Sequence, residues 1–595
     1  MKSQTDVKEH REQIKYFSLP MPIMQPRKNK LQTDLKIGLI ASDRLYDGFR
    51  FEAEVTLLSE ENWLDVLKYI KIDFLLVESC LHSAINDWAY AQVEGSDKNK
   101  HIKKVIQFAK DNSIPTVYWF THDHAYHQNF KEFSSIFDYV FCSDNKELLL
   151  LRKEGVEARL LLPAMQPALH NPFRENKHYY DFNVEILFDG WSDIFRHGDK
   201  LTILEDIKKL GLKIIDSEKT IFIKKINETP ELKNTILGCV SVASKNQMLK
   251  YTKTVLTFSD SSLTPTSQQW AFLAVAGSRT CSLNRGTIAN DDIRKGVVIE
   301  VENDPDLLME LHSLQIDDLY RERVAHRAWQ QVNLKHTFNH RIKQICEVLS
   351  IPLLNNTNKK ASLITPTYRV DQLQHVIDTF QMQTYKNKEL LVVYNGAEAI
   401  PSDTLDKFKK KQNITLLTLP PEKSVAECLN LGNSVANGDF CFRLDDDDYY
   451  AKNYISDMML GLNAVDMKIF GRVFSYFITE EDQQLNQYSK KGKTFCIASS
   501  EDLLTKRLHL AGNTIGGERT FMLSHRYPEK SYNTADIGFV LNAALEAEEA
   551  CSFDSFNVVV SRREDLSTHT WRVPKDQIGK NVFCLVDSSK DDVFV

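Results

Sequence analysis

Residues 445–448 are four consecutive aspartates, set in "FRLDDDDYYAKNY" (442–454) between an apolar run and two tyrosines. Adjacent carboxylates repel, and aspartate is a poor strand and helix former, so local stability does not explain the run. It is either a solvated turn or a place where something cationic sits. An EF-hand loop needs glycine at its sixth position and glutamate at its twelfth. Counted from Asp445 those positions hold Tyr450 and Ser456, which excludes it. In the D-x-D spacing, Asp445 and Asp447 can turn their carboxylates toward one point while Asp446 points away. A hard cation such as Mn²⁺ or Mg²⁺ accepts one or two carboxylates and completes its shell with phosphate oxygens. Such an ion neutralises charge developing on a diphosphate leaving group. No G-x-x-x-x-G-K-[ST] loop occurs, so the chain is no P-loop nucleotide hydrolase.

The elements ahead of the run read as a βαβαβαβ series. "ASLITPT", "KELLVVYN", "NITLLTL" and "GDFCFRL" are strands. Leu373, Val376, Ile377 and Phe380 mark a helix at i, i+3, i+4, i+7. Ser424 and Glu427 form a capping box that opens a second helix, running to about 436. Phe440, Phe442 and Leu444 share one face of the last strand, so the aspartates fall at a strand's carboxyl end, where open α/β sheets bind ligands.

The chain has 595 residues, enough for two to four domains, with ordinary globular composition (42% hydrophobic, 26% charged). A net charge of −7 argues against a general nucleic-acid or anionic-membrane binder. No apolar run is long enough for a membrane helix, and the N-terminus has no apolar signal core. Ten cysteines without C-x-x-C pairs suit a reducing compartment, so the expectation is a cytoplasmic protein, with peripheral association at the inner membrane face left open. Residues 1–34 are expected to be a polar arm. Residues 35–352 alternate strands ("KIGLIAS", "DFLLVES", "IPTVYWF", "FDYVFCS", "VEILFDG", "VLTFSD") with helices, giving two doubly wound halves, 35–180 and 181–352. Trp63, Val66, Leu67 and Ile70 share one helical face there. Residues 353–360 form an Asn-rich linker, and 361–595 a further domain.

"ASLITPTYR", "QTYKNKELLVVYNGA", "SVAECLNLGNSVANGDF" and "RLDDDDYYAKNY" resemble, in order and spacing, the family-two glycosyltransferases of GT-A fold. The resemblance covers about 360–460 and weakens toward 575. It implies an inverting transferase that uses a nucleotide-sugar donor, UDP-sugar favoured, with Mn²⁺ or Mg²⁺. Carried over, Thr367 and Tyr368 lie at the nucleotide base and Arg369 at the donor. Tyr394 and Asn395 stand where the family has an aspartate pair, Asn395 being the donor-side candidate. Asp445 lies near ribose and metal, Asp446 on the donor side, and Asp447 on the metal. In "NTADIGFVLNAALEA", Asp536 is the candidate base, with a helix cap as the alternative. His569 of "STHTW" matches a late His-Thr-Trp and is placed at the metal or diphosphate; Trp571 is a candidate acceptor platform. Gly516 and Gly517 read as a turn, with a close approach of backbone to the acceptor as the alternative.

The first module resembles the CgeB-type (spore-maturation) glycosyltransferases of GT-B fold through "DFLLVES", Trp88, "IPTVYWFTHDHAYHQNF", "FDYVFCSD" and "HTFNHRIKQICEVL". It departs from them where Gln269 and Phe272 replace the donor's basic and acidic residues. His122, Asp123, His124 and His127 form a cluster that reads as cleft lining in those relatives. The overall expectation is α/β: a GT-B-like front pair and a GT-A nucleotide-sugar-transferase back. By family analogy the acceptor is a hydroxyl on a bacterial surface glycan, a polyol-phosphate (teichoic-acid-like) polymer or a glycoprotein. The alternatives are a bifunctional polymerase with both modules catalytic, a non-enzymatic carbohydrate-binding scaffold, and a nucleotidyltransferase, for which "ITPTYRVDQL" supplies only one basic residue.

Overall fold

The computed structural model describes residues 24–28, 31, 33–122, 127–180, 182–189, 201–216, 230–259, 266–288, 291–353, 359–479, 484–488, 492–530, 535–562, 582–584 and 589–595. The chain divides into two compact units, 1–172 with 182–356, and 173–181 with 357–595. His569, Trp571, Asp123, His124 and most of the N-terminal arm lie outside the described residues.

The first unit contains two all-parallel sheets. One is built from β1 (Lys36–Ile40), β2 (Glu54–Leu57), β3 (Phe74–Glu78), β4 (Thr116–Phe120), β5 (Tyr139–Cys142) and β6 (Ala158–Leu160), in the order β2-β1-β3-β4-β5-β6. Strands β3 and β4 are buried at every position, as expected of parallel strands covered on both faces. After β7 (Arg174–Glu175) the second sheet comprises β8 (Val184–Asp189), β9 (Leu212–Asp216), β10 (Ile236–Cys239), β11 (Thr252–Phe258), β12 (Cys281–Arg285) and β13 (Ile299–Val301). Its order, β10-β9-β8-β11-β12-β13, is that of a dinucleotide-type doubly wound sheet. The helix Trp63–Tyr69 buries Val66 and Leu67, whereas Ile70 is its C-cap and exposed, one residue beyond the packed face.

The second unit is organised by β14 (Ala361–Thr367), β15 (Lys388–Tyr394), β16 (Ile414–Thr418) and β17 (Phe440–Arg443), all parallel. All seven residues of β14 are buried. The helix Leu373–Met382 buries Leu373, Val376, Ile377 and Phe380, and Ser424 and Glu427 make the reciprocal capping box of the helix Val425–Val435. The sequence winds outward from β14 to β16 and then jumps back to place β17 on the other side of β14. The carboxyl ends of β14 and β17 are thus adjacent at a topological switch point.

Beyond β17 come β18 (Tyr449–Tyr450), β19 (Ile469–Gly471), β20 (Tyr476–Thr479), β21 (Asn486–Tyr488), β22 (Cys496–Ala498), β23 (Gly516–Glu518), β24 (Ala550–Ser552), β25 (Val558–Arg562) and β26 (Val582–Cys584). Gly516 and Gly517, read as a turn, instead pair antiparallel with Phe442 and Cys441. A Cβ on Gly516 would strike the Phe470 ring, so the glycines serve close packing inside the sheet. Among the described residues this sheet has nine strands and ends at β7, which pairs with β22 through Arg174↔Cys496 and Glu175↔Ile497. Phe173 packs edge-on against Phe495 and Phe553 at 5.3 and 5.4 Å, and the Asn176 amide donates to Asp502 at 2.7 Å. A short segment from far upstream thus completes the second unit. Among the described residues no helix is long and apolar enough to cross a membrane.

Candidate active site

Strand β17 delivers the four aspartates to the switch point. Its register against β14 sets Arg443 beside Ile364, so the loop after Thr367 and the acidic loop leave the sheet side by side. That adjacency brings Arg369 onto the run. Its Nε donates to Asp446 Oδ2 at 2.9 Å, its Nη2 to Asp446 Oδ1, and its Nη1 to Asp447 Oδ2 at 2.8 Å. The Thr367 hydroxyl also donates to Asp446. Asp446 is turned inward, where it is buried and anchors the cluster. Burial pushes its carboxyl above the ordinary range, although Arg369 and Thr367 pull it back.

Asp445 has its own partner. Arg443 Nε and Nη2 donate to its two oxygens at 2.7 and 3.0 Å. Burial alone would make this guanidinium less basic, but Asp445, and beyond it Asp536, hold its pKa above the usual value. The side chains of Asp445 and Asp447 keep 25% and 16% of their surface exposed, against 5% for Asp446, so these two face the solvent side.

Asp448 ties the run to the rest of the unit. Its carboxylate accepts from Asn513 Nδ2 at 2.6 Å and from the Ser561 backbone N–H at 2.9 Å. Burial, then Asp447 and Asp445, push its carboxyl well up. The Tyr450 hydroxyl accepts from the Asp445 backbone N–H at 2.9 Å and donates to the Asn513 carbonyl at 3.0 Å. The turn Gly512–Thr514 is thereby bound to the acidic loop.

Asp536 lies in the first turn of the helix Ala535–Leu545, and its carboxylate rests against Gly512. The structure therefore brings Asp536, Arg443 and the acidic run around one turn. Tyr368 is 52% exposed beside Arg369, whose guanidinium lies 5.4 Å from its ring centre. Asn395 donates from Nδ2 to the Lys423 carbonyl at 2.7 Å.

Arg443, Tyr450, Gly512 and Asn513 were given no role from the sequence, and Asp448 was read only as part of the acidic run. Of the first four, Arg443 alone left a signal: it stands two residues before Asp445, and side chains two apart in a strand share a face.

In the first unit, Phe272 and Gln269 are buried, so neither stands at an open surface. His127 meets Glu147 at 2.7 Å and Glu154 at 3.3 Å, and His122 stacks on Phe130.

The family description Glycosyl transferase family 2 matches residues 362–510, the stretch that holds β14–β17 and the acidic run. Glycosyltransferase GlyG of Streptococcus pneumoniae is 25% identical over 134 residues, 22% of this chain and 42% of that protein, so the chain spans less than half of that relative. Among solved structures, the mannosyltransferase PcManGT of Pyrobaculum calidifontis, in complex with GDP-Man and Mn²⁺, is 16% identical with a TM-score of 0.27 over 37% of this chain and 59% of that one. S. aureus TarS 1–349 in complex with UDP-GlcNAc is 19% identical with a TM-score of 0.28 over 34% and 59%. The second unit thus carries a stretch, residues 362–510, that matches the glycosyl transferase family 2 description, which supports reading this unit as a glycosyltransferase.

Proposed function

We propose that the second unit, with the GT-A arrangement, moves a sugar with inversion from a nucleotide-sugar donor, a UDP-sugar favoured, to a hydroxyl acceptor. The observation that carries this is the shared turn. Gly512 abuts the Asp536 carboxylate, while Asn513 holds Asp448 and Tyr450 of the acidic loop. One short turn thus touches both the carboxylate proposed as base and the loop proposed to grip the diphosphate.

Asp445 and Asp447 offer the hard oxygen donors that Mn²⁺ or Mg²⁺ prefers, and both are partly exposed, so these residues fit a divalent cation. Such an ion, when bound, supplies positive charge to the departing diphosphate. Asp536 takes the proton of the acceptor hydroxyl as its oxygen bonds the anomeric carbon and the carbon–oxygen bond to the diphosphate breaks. Tyr368 presents an open ring to the nucleotide base, Thr367 and Asp446 fix the loop beneath it, and Asn395 borders the donor side. His569 and Trp571 complete the proposal on the metal and acceptor sides.

The two doubly wound sheets of the first unit support a GT-B-like reading of it. At the end of β3 the buried Glu78 accepts from Ser42 N, Ser42 Oγ and Thr121 Oγ1 at 2.6–2.7 Å. For the acceptor we propose a bacterial surface glycan, polyol-phosphate polymer or glycoprotein, by family analogy. Donor hydrolysis across a nucleotide-sugar panel with Mn²⁺ tests the whole proposal. At least one donor should turn over; a flat panel with folded protein would favour the scaffold.

A further inference from the structure

The two arginines at the acidic run hold their carboxylates differently. Arg443 takes both oxygens of Asp445 from within the same strand end, with only 10% of its side chain exposed. Arg369 takes both oxygens of Asp446, the most buried of the three, but meets Asp447 with Nη1 alone. On the arginine's side, parting from Asp447 would break one bond and leave the two-point anchor on Asp446 in place. A forked contact is the stronger and more directional of the two. Arg369 also neighbours both the open ring of Tyr368 and the carboxylate of Asp447. A diphosphate joining a base on the tyrosine to a cation on the aspartate would come within reach of this guanidinium.

We propose that Arg369 is an exchangeable counter-ion: it neutralises Asp447 in the unliganded enzyme, yields that carboxylate to the divalent cation, and turns its released N–H toward the incoming diphosphate while it stays anchored on Asp446. Asp445 is then the fixed carboxylate of the pair and Asp447 the one that changes partners. This keeps the site from presenting unpaired like charges before the donor arrives. It also couples cation and donor, since each supplies what the other displaces. The inference rests on the donor-site reading above.

The test uses the full chain and two probes, Mn²⁺ alone and UDP against UMP in the presence of Mn²⁺, both by calorimetry. Arg369→Gln should bind Mn²⁺ alone roughly tenfold tighter than the wild type, because the competing cation is gone. Its preference for UDP over UMP should shrink by about tenfold, because the diphosphate contact is gone too. Arg369→Lys keeps the charge but cannot span two carboxylates, and should fall between the two in both measurements. An unchanged or weaker Mn²⁺ affinity in folded Arg369→Gln would overturn the inference, since a merely structural arginine would loosen Asp447. Should that variant not fold, Arg369→Lys decides in the same direction. Asp447→Asn separates the levels: if it leaves Mn²⁺-dependent UDP binding intact, the donor-site reading itself has failed.

Discussion

There is no room for a Cβ at Gly512, because Oδ2 of Asp536 occupies that place. The glycine has no positive φ, so alanine there is conformationally acceptable and only the contact is at stake. Gly512→Ala should push the carboxylate aside and lower kcat, with donor KM and melting temperature little changed. Asp536→Asn should lower kcat by about 10²–10⁴-fold, the range expected for loss of a general base. Wild-type turnover in folded Asp536→Asn would return this residue to the role of a helix cap.

Asp447→Asn should cut donor turnover by about 10²–10³-fold, in line with loss of one preorganised electrostatic partner. Asp446→Asn should weaken the protein as well as the activity, since it strips Arg369 of its anchor. Steady-state kinetics paired with thermal melting separates the two: equal melting temperatures for both variants would contradict the division of labour described here.

Tyr450→Phe removes the hydroxyl that joins Asp445 to Asn513 and leaves a buried carbonyl with one partner fewer. A cost of about 1–3 kcal/mol is expected in denaturant unfolding. Donor turnover should also drop, because the acidic loop is no longer tied to the turn that abuts Asp536. A variant that loses stability but keeps full activity would show that this tie does not position the site.

The first unit should weaken in mild acid. Burial, then Lys245 and Lys250, push His170 down to about 4, and its Nδ1 accepts the Gln166 backbone N–H at 3.2 Å, as a neutral ring does. Burial, then Arg341 and Lys343, likewise push His340 down to about 4. In the unfolded chain both titrate near ~6.5. Between about 6.5 and about 4 the unfolded state therefore binds more protons, and stability falls as pH falls through that window. Melting followed from pH 7.5 to 5, where most carboxylates remain ionised, should show the decline. His127 and Glu52, whose pKa values the fold raises, act in the opposite sense, so the check is the slope lost in His170→Gln and His340→Gln; variants with the wild-type slope would mean that the rings are charged in the fold.

Phe173→Ala should destabilise the second unit by about 3–5 kcal/mol, the usual cost of emptying a buried phenylalanine site. The residue is fully buried among Phe495 and Phe553 although its sequence neighbours lead into the first unit. Hydrogen exchange that reports β22 and β24 unperturbed in the variant would contradict this.

Periodic segments of the second unit were legible in the sequence. Strand β14, the helix at Leu373–Met382 and the Ser424–Glu427 box announce themselves through apolar spacing and capping chemistry, which are local. The position of the acidic run at a strand end was legible for the same reason. What was not legible is long-range pairing. Arg369 and Asp446 are far apart in the chain and meet only because β17 returns to the side of β14. Two-residue β7 has no period to detect, and its role depends on a partner strand more than 300 residues later. Gly516 and Gly517 misled because paired glycines usually signal reversal, whereas here the missing side chains admit Phe470 and Met522.

The excursion at 173–181 means that the polypeptide passes from one unit to the other at three places, near 172, 181 and 356. No single cut in the backbone can release the second unit whole: cleavage at the Asn-rich stretch would leave its outermost ribbon behind on the other fragment. Gene fission or cassette exchange at that apparent seam would therefore deliver a sheet without its edge strand β7.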